Sequence, residues 1–239
     1  MELEFTEDQE ELRDGVRTML AGECPMSLVR GVAEGTASSV SLWNDMVALG
    51  WPALTVAESD GGLGLGMIEL VVVVEELGRA VAPGPFLSTT TQFLPMVREL
   101  GDAEQRARFA GGVAEGTITG TLALQEPGRG LETDRLGTIA TETPDGLVLD
   151  GVKEMVVEAA SATEIVVVAR LAGTGSEANS DALAACVVAA DALRVEPVAA
   201  LDRTRGLARV HFDAVPVAAD RVLGTPGPLT ARGIGRAHV

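Results

Sequence analysis

The sequence is poor in aromatic and basic residues, and each shortage excludes a class of protein. Aromatic residues make up 3% of the 239 positions, so a core must be built from valine, leucine and alanine. The 46% apolar share excludes a disordered chain. Lysine and arginine number 18 against 35 acidic residues, a net charge of −17. Nucleic acids and anionic membranes attract basic surfaces, so we expect neither as a partner.

Cysteines and long apolar runs are also scarce. Cys24 and Cys186 lie far apart, in a helical and a strand-like segment, which favours free buried thiols over a disulfide or a metal site. The acidic N-terminus lacks the basic region of a signal peptide, and apolar runs such as residues 71–74 are too short to span a membrane. These features predict a soluble, cytoplasmic protein with no metal site.

Helical signals dominate the first 116 residues. Thr6 with Gln9 forms a capping-box pattern, and Asp102 with Gln105 repeats it. Apolar residues then recur at helical spacing. The pattern predicts helices that begin after Thr6, that cover residues 26–33, 42–49, 67–79 and 93–100, and that follow Asp102. The two tryptophans, Trp43 and Trp51, lie within this apolar spacing, and we expect them to be buried.

Two features of the helical half suggest a site but are more often structural. Gly61, Gly62 and Gly64 resemble a phosphate-binding loop, but the strand, loop and helix order of a dinucleotide fingerprint is missing. Glu75 and Glu76 are candidate catalytic carboxylates, yet adjacent helical residues do not share a face. We therefore expect a turn and two carboxylates that face solvent or a neighbouring helix.

Strand signals begin at Thr117, as apolar runs bounded by Gly, Pro, Asp and Asn. They predict strands at residues 118–124, 136–142, 147–149, 153–157, 164–170, 182–188, 193–199 and 206–212, with a glycine turn at Asp150-Gly151. No long helix separates these runs, which favours an antiparallel barrel or sandwich over a parallel α/β sheet. The expected class is α+β, with an all-α N-terminal domain at 1–116, an antiparallel β-barrel or sandwich middle domain at 117–226, and a tail at 227–239.

Several short motifs follow one another from end to end of the chain. They are Leu49-Gly50-Trp51, Glu75-Glu76-Leu77-Gly78-Arg79, Gln125-Glu126-Pro127, Leu149-Asp150-Gly151-Val152-Lys153, Asp202-Arg203-Thr204 and Arg221-Val222-Leu223-Gly224. Each motif is weak alone, but in this order the chain resembles the acyl-CoA dehydrogenase family. The resemblance implies a helical N-terminal domain, a middle β domain and a C-terminal four-helix domain, of which residues 227–239 are at most the start.

The resemblance also implies flavin chemistry. Family members oxidise an acyl-CoA thioester to the 2,3-enoyl-CoA while a carboxylate removes the α-proton and FAD accepts the β-hydride. It implies a homo- or hetero-oligomer and an electron-transfer acceptor as partners. The positions that match the family's flavin-binding segments are Leu122, Leu124, Gln125, Gly130, Leu131, Met155, Val156 and Val157. At Gln125, Leu131 and Val157 a hydroxyl residue frequent in the family is replaced, which leaves backbone N–H groups as donors.

The catalytic base has no match in this sequence. In the family it usually belongs to the C-terminal helical domain, beyond the position of Val239. His211 fits an exposed strand position and His238 a frayed tail, so neither is expected to replace it. We therefore expect this chain alone to be inactive as a dehydrogenase. Two alternatives stay open, a non-catalytic short subunit that pairs with a full-length acyl-CoA dehydrogenase, and an unrelated binding module.

Overall fold

The computed structural model describes residues 4–129, 136–172 and 182–227, and its first half is helical. The helices are α1 (Glu7–Glu23), α2 (Met26–Glu34), α3 (Val40–Ala48), α4 (Met67–Arg79), α5 (Phe86–Ser88), α6 (Leu94–Leu100), α7 (Ala103–Gln105) and α8 (Gly111–Ala114). Two π-helical stretches, Thr89–Phe93 and Arg106–Ala110, join α5 to α6 and α7 to α8. No helix in the described part of the chain combines the length and apolar character needed to cross a membrane.

Local capping explains where these helices begin and end. The Thr6 hydroxyl accepts from the backbone N–H of Gln9, and the Gln9 side chain accepts from the backbone N–H of Thr6. Asp102 and Gln105 make the same reciprocal pair at α7. Past α3, the chain turns at Gly50, whose φ of +74° is a conformation that glycine adopts without strain. The predicted helices are confirmed, and α4 has the predicted bounds.

The helical core lies between α1, α3 and α4 and contains both tryptophans. Trp43 is 7% exposed and Trp51 4% exposed, as predicted. Glu76 is buried and its carboxylate lies 2.8 Å from the guanidinium of Arg17 on α1, whereas Glu75 is exposed. The expectation for these two carboxylates is therefore confirmed, since one faces a neighbouring helix and the other solvent.

The described residues of the second half of the chain form one sheet of eight strands. They are β1 (Gly120–Ala123), β2 (Ile139–Thr143), β3 (Gly146–Val157), β4 (Glu164–Leu171), β5 (Leu183–Ala189), β6 (Arg194–Val198), β7 (Leu207–Ala218) and β8 (Val222–Gly227). The strand order is β6-β7-β3-β2-β4-β5-β8, and β1 pairs with β4. Over the described residues the ladder does not close into a barrel, so the sandwich alternative is the better description.

Both faces of the sheet are covered. One face packs against the helices through a core that joins Phe93 and Phe109 to Leu122, Val166 and Leu223. The other face folds over on itself around a second core, which is rich in small side chains and includes Ala123, Leu149, Val156, Val167, Cys186 and Phe212. Valine, leucine and alanine therefore supply most of the interior, as the aromatic-poor composition requires.

Three details of the sheet differ from the sequence expectation. The pairs β1–β4 and β2–β4 are parallel, so the sheet is mixed and not wholly antiparallel. Residues 147–157 form one strand, and the turn lies before it at Pro144-Asp145. Gly151, with φ +145°, is needed because a Cβ there would lie 2.7 Å from Cα of Thr138. Strand β8 was not among the predicted strands, although its residues belong to a family motif.

Both cysteines are free and buried, as predicted. Burial raises the pKa of each thiol, that of Cys186 to about 12. Neither thiol therefore has the depressed pKa that marks a reactive cysteine.

Candidate functional site

The two segments predicted to contact a flavin meet where β1 ends beside the middle of β3. The backbone N–H of Glu154 donates to the carbonyl of Gln125 over 2.8 Å. The Lys153 ammonium donates to the carbonyl of Leu124 over 3.0 Å. β1 pairs with β4, and β3 pairs with β2 and β7. The contacts between β1 and β3 are therefore not part of the regular strand pairing of the sheet.

A buried ion pair lies directly beneath this meeting point. Lys153 is fully buried and its Nζ is 2.9 Å from Oε1 of Glu126, which is 4% exposed. The Glu126 carboxylate also accepts from the backbone N–H groups of Gly137 and Thr138, over 2.5 and 2.8 Å. Arg129 Nε lies 3.6 Å from the same carboxylate. Glu126 therefore ties the end of β1 both to β3 and to the segment that leads into β2.

The surroundings shift the pKa of both partners. Burial alone would raise the pKa of Glu126, but the hydrogen bonds from Gly137, Thr138 and Lys153 outweigh it and hold the pKa at about 2. Burial lowers the pKa of Lys153 to about 8, although Glu126 acts in the opposite direction. At neutral pH both groups are therefore charged, and each satisfies the other in a site that excludes water.

Three of the predicted residues keep their side chains away from the surface. Leu122 and Leu124 are buried in the core against the helices, and Val156 is buried in the second core. Their side chains are therefore not available to a bound molecule. Gln125 and Val157 are half-buried, and Met155 is 42% exposed. The accessible edge of the site is therefore formed by the side chains of Gln125, Met155 and Val157.

A bulge in β3 turns Met155 outward. Between Lys153 and Val156, β3 advances three residues while β7 advances two, so β3 carries one extra residue. Met155 has φ +57°, an uncommon conformation for a residue other than glycine. Such strained positions occur often at functional sites, and here the strained residue follows Glu154, whose N–H bonds Gln125.

The other residues considered in the sequence analysis are His211, which the structure describes, and three residues outside the described part of the chain. Gly130 and Leu131 lie outside the described residues, as does His238. His211 lies on β7, where its Nε2 is 3.2 Å from Glu196, and its side chain is 14% exposed. Sequence reasoning did not single out the Glu126–Lys153 pair as part of a site. The available signal was a lysine at the start of a predicted apolar strand, since lysine is almost never fully buried unless it is paired.

A separate cavity of about 630 Å³ lies between the loop that precedes α4, helix α6 and the π-helical stretch Arg106–Ala110. Its wall includes Val56, Leu65, Met67, Leu94 and Arg98. None of the described flavin candidates lines it. The glycine loop at residues 61–64 borders this cavity through Gly64. Gly61 follows a short 3₁₀ turn and has φ +87°, so the loop begins with a turn, as expected.

Comparisons with known proteins agree with the fold. Residues 6–117 match the model of the acyl-CoA dehydrogenase N-terminal domain. Acyl-CoA dehydrogenase FadE28 of Mycobacterium tuberculosis is 42% identical over 89 residues, which cover 37% of this chain and 26% of FadE28. An acyl-CoA dehydrogenase from Bacillus anthracis complexed with FAD superimposes with a TM-score of 0.82 at 22% identity, over 97% of this chain and 41% of that one.

A second structure, a variant of the Tcur3481-Tcur3483 steroid ACAD, has a TM-score of 0.80 at 30% identity over 97% of this chain. This chain covers 60% of that protein, so it spans less than two thirds of each of these relatives. The resemblance inferred from the motifs is confirmed: residues 6–117 match the N-terminal domain of acyl-CoA dehydrogenases, and the described helices and sheet together have the acyl-CoA dehydrogenase fold.

Proposed function

We propose that this chain supplies the FAD-binding face of an acyl-CoA dehydrogenase, which oxidises an acyl-CoA thioester to its α,β-unsaturated product. The observation that carries the proposal is the meeting of Gln125 with Glu154, which leaves Gln125, Met155 and Val157 at one accessible edge. The resemblance assigns the flavin contacts to these same two segments, which lie apart in sequence.

The residues at this edge fit a flavin. The isoalloxazine ring is flat, with a largely apolar face and a polar rim of carbonyls and nitrogens. Met155 and Val157 offer apolar surface, and the Gln125 amide both donates and accepts hydrogen bonds. These residues would hold the ring against a buried part of the protein and so keep water from one of its faces. When bound, FAD supplies the acceptor for the β-hydride of the substrate.

FAD binding is tested by titration of the purified chain, with the change in flavin fluorescence as the signal. Met155→Asp places a negative charge at the edge, and aspartate tolerates the positive φ of this position. We expect the variant to bind FAD at least about tenfold more weakly, a loss of about 1.4 kcal/mol. Val40→Asp, at an exposed position that begins α3, is the matched control and should bind as the wild type does. A wild-type chain that does not bind FAD would overturn the proposal.

The chain's part in catalysis is binding and orientation, because no described residue is assigned as the base that removes the α-proton. A general base typically contributes a factor of about 10² to 10⁴ in rate. We therefore expect the flavin absorbance of the FAD-loaded 239-residue chain to persist when acyl-CoA esters are added anaerobically. Rapid bleaching by any ester would show that the chain contains a base. Turnover also requires an electron-transfer acceptor, a partner that the resemblance implies.

An exposed apolar surface supports assembly with further protein. Leu63, Leu65, Met67, Ile68 and Val71, at and before the start of α4, are each between 45% and 55% exposed. Contiguous apolar surface of this kind marks interfaces in soluble proteins. The name Tcur3481-Tcur3483 identifies a relative built from two components. We therefore propose that the chain forms a homo- or hetero-oligomer.

Sedimentation velocity tests this assembly. The wild-type chain should sediment as a dimer or larger species, and Ile68→Lys with Val71→Glu should shift it towards the monomer. Val40→Lys, at an equally exposed apolar residue on α3, should leave the distribution unchanged. A clean wild-type monomer at micromolar concentration would contradict the proposal for the homo-oligomer.

A further inference from the structure

We propose that Lys153 and Glu126 are positioning residues that set the spacing between the two flavin-contacting segments. The inference rests on the proposed FAD site and adds to it a buried support that does not itself touch the flavin edge. It is drawn from the contacts beneath Gln125 and Met155, independently of the side chains at the accessible edge.

Sheet pairing alone does not set this spacing. β1 has its register with β4, and β3 has its registers with β2 and β7. The end of β1 at Leu124–Glu126 extends past its ladder, which stops at Ala123. On the other side, the bulge at residues 154–155 interrupts the ladder between β3 and β7. Both segments therefore leave regular pairing at the place where they approach each other.

Three polar contacts bridge the two segments there. Two come from the Lys153 ammonium, which donates to the Leu124 carbonyl over 3.0 Å and to the Glu126 carboxylate over 2.9 Å. The third is the hydrogen bond from the Glu154 N–H to the Gln125 carbonyl over 2.8 Å. Lys153 is the residue just before the bulge, so its side chain fixes the position of the start of the bulge that contains Met155.

The cost of burying these charges supports a role beyond packing. A buried ion pair is often no more stabilising than apolar residues of the same volume, and retention of such a pair is attributable in some proteins to structural specificity. Here the ammonium joins one carbonyl and one carboxylate of the same short segment. A methionine of similar length would fill the space but would leave the Leu124 carbonyl without this donor.

The test separates positioning from simple stabilisation. Lys153→Met alone removes the nearest and fully buried cationic partner of Glu126, so both stability and FAD affinity should fall. The double variant Lys153→Met with Glu126→Gln removes both charges and should recover much of the stability. Its FAD affinity should stay lower than that of the wild type by roughly ten- to a hundredfold, the range that supporting contacts contribute beneath metal sites.

A second measurement does not depend on FAD. Hydrogen–deuterium exchange of the Glu154 amide reports how often the contact between the segments opens, because this N–H donates to Gln125. Its exchange should be faster in the double variant than in the wild type when both are folded and free of FAD. Arg221→Met is the matched control, since Arg221 also bonds a carboxylate, that of Glu164, and a carbonyl, that of Val187, elsewhere on the sheet. It should change neither FAD affinity nor Glu154 exchange.

The outcomes distinguish this inference from the proposed function. Absence of FAD binding by the wild type, with faster Glu154 exchange in the double variant, would refute the FAD site and leave the positioning role supported. Wild-type FAD affinity in the folded double variant, or unchanged Glu154 exchange there, would overturn the positioning role.

Discussion

Acid should weaken the folded protein through Glu126. The pKa of this carboxyl is held at about 2, against an ordinary value of 4.5, by the N–H groups of Gly137 and Thr138 and by Lys153, which together exceed the opposing effect of burial. A carboxyl with a depressed folded-state pKa stabilises the protein above its unfolded pKa, and this contribution is lost as pH falls from 4.5 towards 2. Each pKa unit corresponds to about 1.4 kcal/mol, so the full contribution is about 3 kcal/mol.

Substitution of Glu126 by glutamine isolates this effect. Near pH 6 the free energy of unfolding of the variant should be about 3–5 kcal/mol lower than that of the wild type, because Lys153 loses its charged partner. At pH 3 only about 1.4 of the 3 kcal/mol remains in the wild type. The difference in free energy of unfolding between the two proteins should therefore narrow by about 2 kcal/mol.

Urea denaturation at pH 6, 5 and 3 measures this difference and avoids the isoelectric point near 4.4, where solubility is lowest. Glu115→Gln, at an exposed position, is the control and should follow the wild type at each pH. A constant difference between wild type and Glu126→Gln from pH 6 to pH 3 would refute the reasoning. Lys153 affects stability in a different pH range. Because its pKa is lowered in the folded protein, the free energy of unfolding should rise with pH between about 8 and 10.5.

Three further predictions concern packing. Gly120→Ala should lower the free energy of unfolding by about 1–3 kcal/mol, since its Cβ would lie 2.2 Å from the Phe93 ring. Gly22→Ala, inside α1 where an added Cβ meets no neighbour within 4 Å, should instead raise it by about 0.5–1 kcal/mol. A higher urea midpoint for Gly120→Ala, or a lower one for Gly22→Ala, would contradict the corresponding expectation. The fluorescence of Trp43 and Trp51 should be blue-shifted in the folded protein, and a maximum typical of water-exposed indole would contradict their burial.

Helices were predictable here because their signals are local. The Thr6–Gln9 and Asp102–Gln105 pairs act within one turn, so the sequence that encodes them also shows them. The amphipathic spacing of α4 likewise depends on contiguous residues. Its predicted bounds, 67–79, agree with the structure for that reason.

The sheet was less predictable because its pairing is not local. The parallel pair of β1 with β4 joins residues more than 40 positions apart. A short apolar run does not indicate whether its strand pairs in parallel or antiparallel. Gly151 illustrates the same limit. A glycine after aspartate is typical of a turn, but here its missing Cβ admits the backbone of Thr138, which is distant in sequence.

Which side chains reach the candidate site depends on a single extra residue in β3. A regular strand would place residues 153, 155 and 157 on one face and Val156 on the other. Because β3 advances one residue more than β7 between Lys153 and Val156, Val156 enters the same core as Leu149, an odd-numbered position. Motif matching therefore located the two segments but not their orientation. The orientation follows from the bulge, and the buried Lys153 at its edge ties the bulge to the end of β1.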